Sequence, residues 1–344
     1  MNGEGISILI IYTGGTIGMK QNPETGALIP FNFNQIEIEV PELKKFHYKL
    51  ETISFNPPVD SSDISPDFWI KLAVTIKENY EKYDGFVILH GTDTMSFTAS
   101  ALSFMLQNLD KPVILTGSQL PIGMLRTDGK ENLISAIEIA AASHNGQPLV
   151  PEVCIFFENR LFRGNRATKH NAEHFNAFRS DNYPHLAEAG INIKYNFAFI
   201  HYPTSKRDLI IHTNLDNNIG ILKLFPGITA EFVDSVLNSP SIKAIILETF
   251  GSGNAPSLSW FLDKIRDAVS RGVVVVNVTQ CHAGSVDMEK YENGLILKKA
   301  GVISGYDITF EAAVAKLMLL LGKKLTPDII KQEMAKSMSG EISK

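Results

Sequence analysis

A threonine that follows two glycines is the first side chain along the chain that could carry out chemistry. Thr16 closes the tetrapeptide TGGT, residues 13–16, directly after a short apolar run at residues 6–11. The run is rich in β-branched residues and has no polar face, which predicts a strand buried on both sides. A hydroxyl at the carboxyl end of such a strand lies where open α/β sheets bind ligands, and it can act as a nucleophile. A plain strand-ending turn explains this stretch equally well, because Gly and Thr are common in turns.

The same arrangement of strand, glycine and threonine recurs further along the chain. A second apolar run is followed by Gly91, Thr92 and Asp93 and then by a helical pattern. Thr92 and Asp93 are therefore predicted at the carboxyl end of a strand, beside Thr16 if the two strands are neighbours. The alternative is structural, because Thr94 could cap the helix and Asp93 could favour its positive N-terminus.

A cluster of acidic and hydroxyl side chains precedes the first clearly marked helix. Asp60, Ser61 and Ser62 stand in the loop before Ser65 and Pro66, which are typical cap and first-position residues of a helix. Capping and turn formation explain this cluster when it is taken alone. A functional role for this cluster is indicated only in combination with the other motifs.

The densest basic cluster of the chain is RGNRATK at residues 163–169, which follows a strand pattern at residues 153–157. A solvated loop is the usual meaning of such a cluster. The sharper interpretation places Lys169 in a buried position beside Asp93. Burial lowers the pKa of a lysine and a nearby carboxylate raises it, so the pair would be tunable, and the sequence leaves its protonation open.

The elements that must position these side chains alternate between strands and helices, which predicts an α/β fold with parallel sheets. Periodicity is lost in a stretch rich in Asn, Pro, Ser and His, and the alternation resumes beyond it. The predicted organisation is two parallel-sheet α/β domains, the N-terminal one larger and the C-terminal one smaller. Their predicted bounds are residues 1–190 for the domain with the catalytic threonines, 191–215 for the linker and 216–344 for the second domain.

The composition is ordinary for a globular protein and narrows the choice of partners. The chain has 344 residues, of which 44% are hydrophobic and 20% charged, and its net charge is -5. That charge gives no electrostatic reason to expect nucleic acid or an anionic membrane as a partner. The first apolar run is too short for a signal peptide or a membrane span, so a cytoplasmic protein is expected. Cys154 and Cys281 are expected to be buried free thiols, and His90 a packed residue rather than a metal ligand.

Three motifs in one chain are far more specific than any one of them. With TGGTIG and HGTDTM at strand ends and RGNRATK downstream, the sequence resembles the L-asparaginase family, and in particular its cytoplasmic, type I branch. The resemblance runs from about residue 8 to the C-terminus. It implies hydrolysis of L-asparagine to L-aspartate and ammonia without a metal or cofactor. It also implies homodimers or homotetramers, with each site formed by the N-domain of one subunit and the C-domain of a neighbour.

The resemblance also implies roles for single residues. Thr16 matches the family's nucleophile. Its second group of catalytic residues is matched by Thr92, Asp93 and Lys169, and Thr92 and Asp93 are also expected to contact the substrate. The loop that holds the α-amino and α-carboxylate groups of the substrate is matched by Asp60, Ser61 and Ser62.

Amide hydrolysis needs an activated nucleophile, a proton path to the leaving nitrogen and a stabilised oxyanion. Thr16 supplies a hydroxyl but no base, so Thr92 is the candidate relay between Lys169 and the reacting centre. Backbone amides near the two glycine turns are candidates for the oxyanion hole. The expected path is a β-aspartyl ester on Thr16 that water cleaves. Direct attack by a water that Thr92 activates is the alternative.

Some positions depart from the family pattern. The polar residues 20–26 could form a lid or a surface hairpin, and the lid Tyr that many asparaginases carry after a Gly is Ala27 here. Tyr291 stands where some type I enzymes supply a Tyr from the neighbouring subunit, although an exposed Tyr beside a turn is commoner. Some type I enzymes bind asparagine at a regulatory site through an Arg that is Glu248 here. A carboxylate cannot replace a guanidinium, so this regulation is expected to be absent or altered.

Other functions are compatible with parts of the sequence. The asparaginase-like subunit of a tRNA-dependent amidotransferase would carry an extra domain before TGGT, which begins here at Thr13. A non-catalytic amino-acid sensor on the same scaffold would need no nucleophile, yet the match to Thr16 is intact. A broader glutaminase-asparaginase differs in its substrate by one methylene, worth about 1–3 kcal/mol in a pocket. The sequence does not give the depth of the pocket.

Overall fold

The computed structural model describes residues 5–21, 25, 28–30, 36, 40–205 and 207–343. They form two compact units. Met1–Ser180 and Pro184–Ile211 make up the first, and Asp181–Tyr183 and His212–Lys344 make up the second. Each unit combines helices with its own β-sheet, so the predicted α/β class with a larger first and a smaller second part is confirmed.

Strands and helices of the first unit alternate from its N-terminus. Its described strands are β1 Ser7–Tyr12, β2 Met19–Gln21, β3 Leu28–Pro30, β4 Lys49–Ser54, β5 Gly85–Leu89, β6 Leu106–Gln107, β7 Val113–Thr116, β8 Ser143–His144, β9 Gln147–Pro148, β10 Val153–Phe157, β11 Arg160–Arg163, β12 Thr168–Lys169, β13 Phe178–Arg179, β14 Ala187–Ala189, β15 Ile193–Tyr195 and β16 Ile210–Ile211. Its described helices are α1 Pro66–Asn79, α2 Met95–Met105 and α3 Gly129–Ala141, with 3-10 turns at Thr16–Gly18, Pro41–Lys45, Ser61–Asp63, Gly164–Arg166 and Phe197–Phe199.

The main sheet of the first unit has the strand order β15-β14-β11-β10-β7-β5-β1-β4. The five strands from β10 to β4 are parallel, as predicted. The other three are antiparallel, so the sheet is mixed. The direction reverses at Glu158 and Asn159, which both have positive φ. Two such residues make the tight turn that joins antiparallel neighbours, and the sequence pattern did not reveal it.

Burial explains why the central elements of this unit were predictable. Every residue of β5, β7 and β10 is buried, which matches their uninterrupted apolar sequences. Helix α1 begins at Pro66 as predicted, and its buried residues recur at helical spacing. They are Phe68, Trp69, Leu72, Ala73 and Ile76.

The second unit is a parallel sheet covered by helices. Its described strands are β17 Ile219–Lys223, β18 Ala244–Thr249, β19 Val274–Thr279 and β20 Ile303–Ser304, in that order across the sheet. Its described helices are α4 Ala230–Leu237, α5 Ser259–Ser270, α6 Glu292–Lys299, α7 Phe310–Gly322 and α8 Pro327–Met334. All three strand pairs are parallel. Leu222, Leu247, Phe261 and Val275 belong to the core that joins sheet and helices.

The two cysteines differ in exposure. Both are free thiols, and Cys154 is buried in β10 as expected. Cys281 is exposed, which contradicts the expectation, because β19 ends at Thr279 and Cys281 already lies in the following loop. Within the described part of the chain, none of the helices has the length and hydropathy needed to cross a bilayer.

Candidate active site

The candidate nucleophile lies in a loop that touches two neighbouring loops at the carboxyl edge of the main sheet. Thr16 is the first residue of the 3-10 turn that follows β1 and the two glycines. Gly14 and Gly15 have φ of 138° and 86°. A Cβ on Gly14 would stand 2.1 Å from the carbonyl oxygen of Val59, and one on Gly15 would stand 2.5 Å from the amide nitrogen of Gly91. Only glycine fits at both positions, so these two residues bring the three loops together.

The turn that carries Thr16 rests on a buried tyrosine. The hydroxyl of Tyr12 donates to the carbonyl oxygen of Gly18 at 3.4 Å. A Cβ on Gly18 would stand 2.2 Å from the Tyr12 ring, so a larger residue would displace the turn. Burial raises the pKa of Tyr12 to about 12, which keeps its hydroxyl protonated and able to donate.

The second loop presents the predicted substrate-binding residues. The carboxylate of Asp60 accepts from the amide of Ser62 at 2.9 Å and from its hydroxyl at 2.7 Å. These two hydrogen bonds hold the pKa of Asp60 below its usual range, so the side chain is an anion at neutral pH. Ser61 is buried, and its carbonyl accepts from the hydroxyl of Thr94 at 2.7 Å. Thr94 thus ties this loop to the start of α2.

Thr92 and Asp93 of the third loop form a hydrogen-bonded group with Lys169 of β12. The ammonium of Lys169 donates to Thr92 Oγ1 at 2.8 Å and to Asp93 Oδ1 at 2.7 Å. The Lys169 side chain is 16% exposed and that of Asp93 is 66% exposed. Asp93 lies just before α2, whose N-terminus favours a negative charge. The structure therefore brings Lys169 and Asp93 together, as the sharper interpretation of the basic cluster expects.

Most of the basic cluster before Lys169 is buried and is not a solvated loop. Arg163 and Arg166 are 5% and 2% exposed, and Asn165 is fully buried. Arg163 forms a buried two-pronged ion pair with Glu152, at 2.6 Å from Nε and 3.1 Å from Nη2. Such bidentate geometry fixes the strand that leads to Lys169.

A neutral histidine supports the loop of Thr92. His90 is fully buried, and burial lowers its pKa to about 4, so the imidazole is neutral at pH 7. Its Nδ1 lies 2.6 Å from the carbonyl oxygen of Gly91, to which it donates. Its Nε2 therefore accepts from the hydroxyl of Thr98 at 2.9 Å, and the oxygen of that hydroxyl accepts from Trp69 Nε1 at 3.0 Å. His90 is thus a packed, hydrogen-bonded residue, as expected.

The departures from the family pattern lie elsewhere. The arms β2 and β3 that follow Thr16 pair as an antiparallel hairpin. Residues 26 and 27, where this chain has Ala27 in place of the family's lid Tyr, fall outside the described residues. Tyr291 belongs to the second unit, precedes α6 and is 51% exposed. Glu248 is near the end of β18 and pairs with Lys223 at 3.6 Å.

Sequence reasoning missed Gln119, which contacts the predicted group. Its Oε1 lies 3.4 Å from Thr92 Oγ1, and it follows the end of β7 by three residues. The available signal was the apolar run at residues 113–115, which is followed by Thr116 and Gly117. The rule that ligands bind at carboxyl ends of strands pointed to the residues just after it.

Comparisons with known proteins give matches to both parts of the chain. The family model described as "Asparaginase, N-terminal" matches residues 7–200, and that described as "Glutaminase/Asparaginase C-terminal domain" matches residues 218–334. The chain is 45% identical over 338 residues to L-asparaginase 1 of Escherichia coli (strain K12), with 98% of each chain covered. It also resembles the crystal structure of L-asparaginase I from Vibrio cholerae, with a TM-score of 0.90, 44% identity and coverage of 98% and 99% of the two chains.

A longer relative has a different name. A glutamyl-tRNA(Gln) amidotransferase chain of Pyrococcus abyssi is 32% identical over 346 residues, which cover 98% of this chain and 76% of that protein. The asparaginase family models match both parts of the chain described here. The chain therefore belongs to the asparaginase family.

Proposed function

We propose that this protein hydrolyses L-asparagine to L-aspartate and ammonia with Thr16 as the nucleophile. One observation carries the proposal: the Lys169 ammonium contacts both Thr92 and Asp93 at the sheet edge that also carries the loop of Thr16. At this edge a hydroxyl supplies the nucleophile that amide hydrolysis needs, and the relay with its charged pair supplies the proton path. The 45% identity to a protein named L-asparaginase 1 supports asparagine as the substrate.

In the proposed reaction, Thr16 Oγ1 attacks the carbonyl carbon of the asparagine side chain. The proton of the attacking hydroxyl must reach the leaving nitrogen, and Thr92 is hydrogen-bonded to Lys169 on that route. Ammonia leaves, and a β-aspartyl ester on Thr16 is then cleaved by water. Direct attack by a water that Thr92 activates would give the same products without an ester. Backbone amides near Gly15 and Gly91 are the proposed oxyanion donors.

The proposed contacts of the substrate's α-groups follow from charge. Asp60 is an anion, which suits an α-ammonium group. An α-carboxylate needs hydrogen-bond donors, and Ser61 offers a hydroxyl on the same loop. Ser62, whose amide and hydroxyl donate to Asp60, is proposed to contact the α-carboxylate by turning its hydroxyl away from Asp60. Thr92 and Asp93 are proposed to contact the substrate as well.

The experiment that tests the proposal is ammonia release from L-asparagine and L-glutamine, measured side by side. Rapid release from asparagine supports it, and the ratio of the two rates measures how far the pocket discriminates one methylene. Binding of asparagine without release of ammonia would instead support a non-catalytic sensor. Release that depends on tRNA and a second protein would support the amidotransferase alternative.

We propose in addition that the active form is a homodimer or homotetramer in which Tyr291 of a neighbouring subunit reaches Thr16. The proposal rests on the family resemblance, on the exposure of Tyr291 and on the large exposed fraction of Asp93 in the single chain. Mixed oligomers of Thr16→Ala and Tyr291→Phe chains test it. If Tyr291 acts across the interface, hybrids recover activity that neither parent shows. Hybrids no more active than the parents contradict it.

The proposed setting is the cytoplasm, with a small-molecule substrate and with neither nucleic acid nor membrane as a partner. The resemblance to the type I branch supports this, and cell fractionation tests it. We also propose that asparagine regulation through the family's Arg-containing site is absent or altered, because Glu248 stands there and pairs with Lys223. Clearly sigmoidal asparagine kinetics would contradict this.

A further inference from the structure

One side chain outside the family motifs connects three loops of the candidate site. Gln119 belongs to the loop after β7, and its Oε1 faces Thr92 Oγ1 at 3.4 Å. Its Nε2 donates at 3.0 Å to the carbonyl oxygen of His174, in the segment that follows Lys169. Gln119 is therefore placed to act on the hydroxyl of Thr92, the first group on the proposed proton path from Lys169.

The type of each group decides which partner donates and which accepts in these contacts. A backbone carbonyl can only accept, so the amide nitrogen of Gln119 must face His174 and its oxygen must face Thr92. An ammonium can only donate, so Thr92 Oγ1 accepts from Lys169. The hydroxyl proton of Thr92 is then left to donate to Gln119. Gln119 therefore fixes the direction of the Thr92 proton in the resting site.

The backbone of Gln119 is itself held in place. The carboxylate of Asp128 accepts from the amide of Gln119 at 3.0 and 3.1 Å and from the amide of Leu120 at 3.1 Å. Asn132 donates to Asp128 at 3.3 Å and to the carbonyl of Gly117 at 3.0 Å. A side chain on such an anchored loop loses little freedom when it orients another group, which is what a positioning residue requires.

We propose that Gln119 is a positioning residue that holds the hydroxyl proton of Thr92 until the leaving nitrogen of the substrate replaces it as acceptor. The inference rests on the proposed amide hydrolysis. The contact of 3.4 Å is long for an O–H···O hydrogen bond, usually about 2.7–2.8 Å, so the proton is easily exchanged. In the step that follows, the Thr92 proton passes to the leaving nitrogen, the Lys169 ammonium gives a proton to Thr92 Oγ1, and ammonia departs. Lys169, left neutral by this transfer, takes up the proton that Thr16 Oγ1 loses on attack, so that Lys169 is again an ammonium and Thr92 is again a hydroxyl.

The test compares Gln119→Met with Gln147→Met, which makes the same change at an exposed residue of the β8–β9 hairpin. Met has nearly the length of Gln but can neither accept from Thr92 nor donate to His174. We expect Gln119→Met to lower kcat for asparagine about tenfold, a part of the roughly 10²–10⁴-fold that a general acid or base contributes. KM should stay within about twofold, because the substitution does not touch the loop of Asp60. The unfolding temperature should be the same as that of the wild type. Gln147→Met should match the wild type.

A second measurement asks whether Gln119 acts through Thr92. In a Thr92→Val background, which lacks the hydroxyl, Gln119→Met should change the residual rate by less than about twofold. A further tenfold loss there would contradict the proposed role, as would a wild-type kcat in the single variant or a loss confined to KM. An active wild type with an unaffected Gln119→Met chain refutes this inference alone. A wild type that releases no ammonia refutes the proposed function and this role with it.

Discussion

Lys169 and Asp93 contact each other at 2.7 Å, yet their side chains differ widely in exposure, with 16% of one and 66% of the other open to solvent. An ion pair with so exposed a member contributes at most about 1 kcal/mol to folding. The second contact of the ammonium, to Thr92 at 2.8 Å, directs it towards a hydroxyl of the candidate site. These contacts support the proposed role of the pair in the reaction rather than a role in stability.

Replacing Lys169 should separate those two roles. Lys169→Met keeps most of the apolar stem but removes the donor to Thr92, so we expect asparagine turnover to fall by about 10²-fold or more. The free energy of unfolding should change by no more than about 1 kcal/mol. Lys45→Met, at an exposed lysine of the 3-10 turn Pro41–Lys45, is the control and should keep full activity. Unchanged turnover in Lys169→Met would make Lys169 a structural residue.

The contact between the loops of Gly15 and Gly91 predicts an unequal cost for two glycine substitutions. Gly15→Ala and Gly146→Ala both place an Ala at a positive φ. At Gly146 no atom lies within 4 Å of the new Cβ, so this substitution should lower the free energy of unfolding by only about 1–2 kcal/mol. Gly15→Ala adds a collision with the backbone of Gly91 and should cost about 1–3 kcal/mol more. It should also lower turnover, because it displaces the Thr16 turn. Urea unfolding measures both variants, and equal losses would show that the loops do not touch.

The predictable and unpredictable parts of the fold differ in burial. Strands such as β5 and β10 were recognised because every residue is apolar and buried. Strand β4 was missed because it is a sheet edge whose residues are half-exposed or exposed, among them Lys49 and Glu51. The antiparallel strands β14 and β15 were missed because each has only three residues, too few to show a period.

The site was predictable to the level of loops and not to the level of every contact. Glycine and threonine after buried strands identified the loops of Thr16 and Thr92, because the end of a buried strand can be read from sequence. The partner of the Thr92 hydroxyl could not be read, since one glutamine in a polar loop looks like any other. Only the fixed carbonyl of His174 shows which way the amide of Gln119 points.

Stability should depend on pH through His90. Its pKa is about 4 in the folded chain and about 6.5 when unfolded, so the unfolded state binds more protons between these values. Stability should therefore fall as pH drops through this window, by about 2 kcal/mol between pH 7 and pH 5 from this residue. Urea unfolding of His90→Asn should lack this share of the pH dependence, whereas His144→Asn, at an exposed histidine of β8, should retain it. The same pH dependence in wild type and His90→Asn would contradict the assignment.

A buried ion pair should stabilise the C-terminal segment. Lys316 and Glu341 are both fully buried and lie 2.6 Å apart, and Glu341 also accepts from the amides of Met338 and Ser339. Glu341→Gln leaves a buried ammonium without its counter-charge and should cost about 3–5 kcal/mol. Glu289→Gln removes an exposed partner of Lys298 and should cost less than about 1 kcal/mol. Similar midpoints in urea for both variants would show that the segment is held in another way.

The role of Thr16 as the nucleophile can be tested by ammonia release from L-asparagine in a Thr16→Ala variant. Thr75→Ala, which removes a hydroxyl on α1 that donates to the carbonyl of Lys71, is the matched control. If Thr16 is the nucleophile, Thr16→Ala should lose about 10³-fold or more of the turnover, keep the wild-type unfolding temperature and still bind asparagine. Thr75→Ala should keep the wild-type rate. Ammonia release by Thr16→Ala at a near-normal rate would show that Thr16 is not the nucleophile.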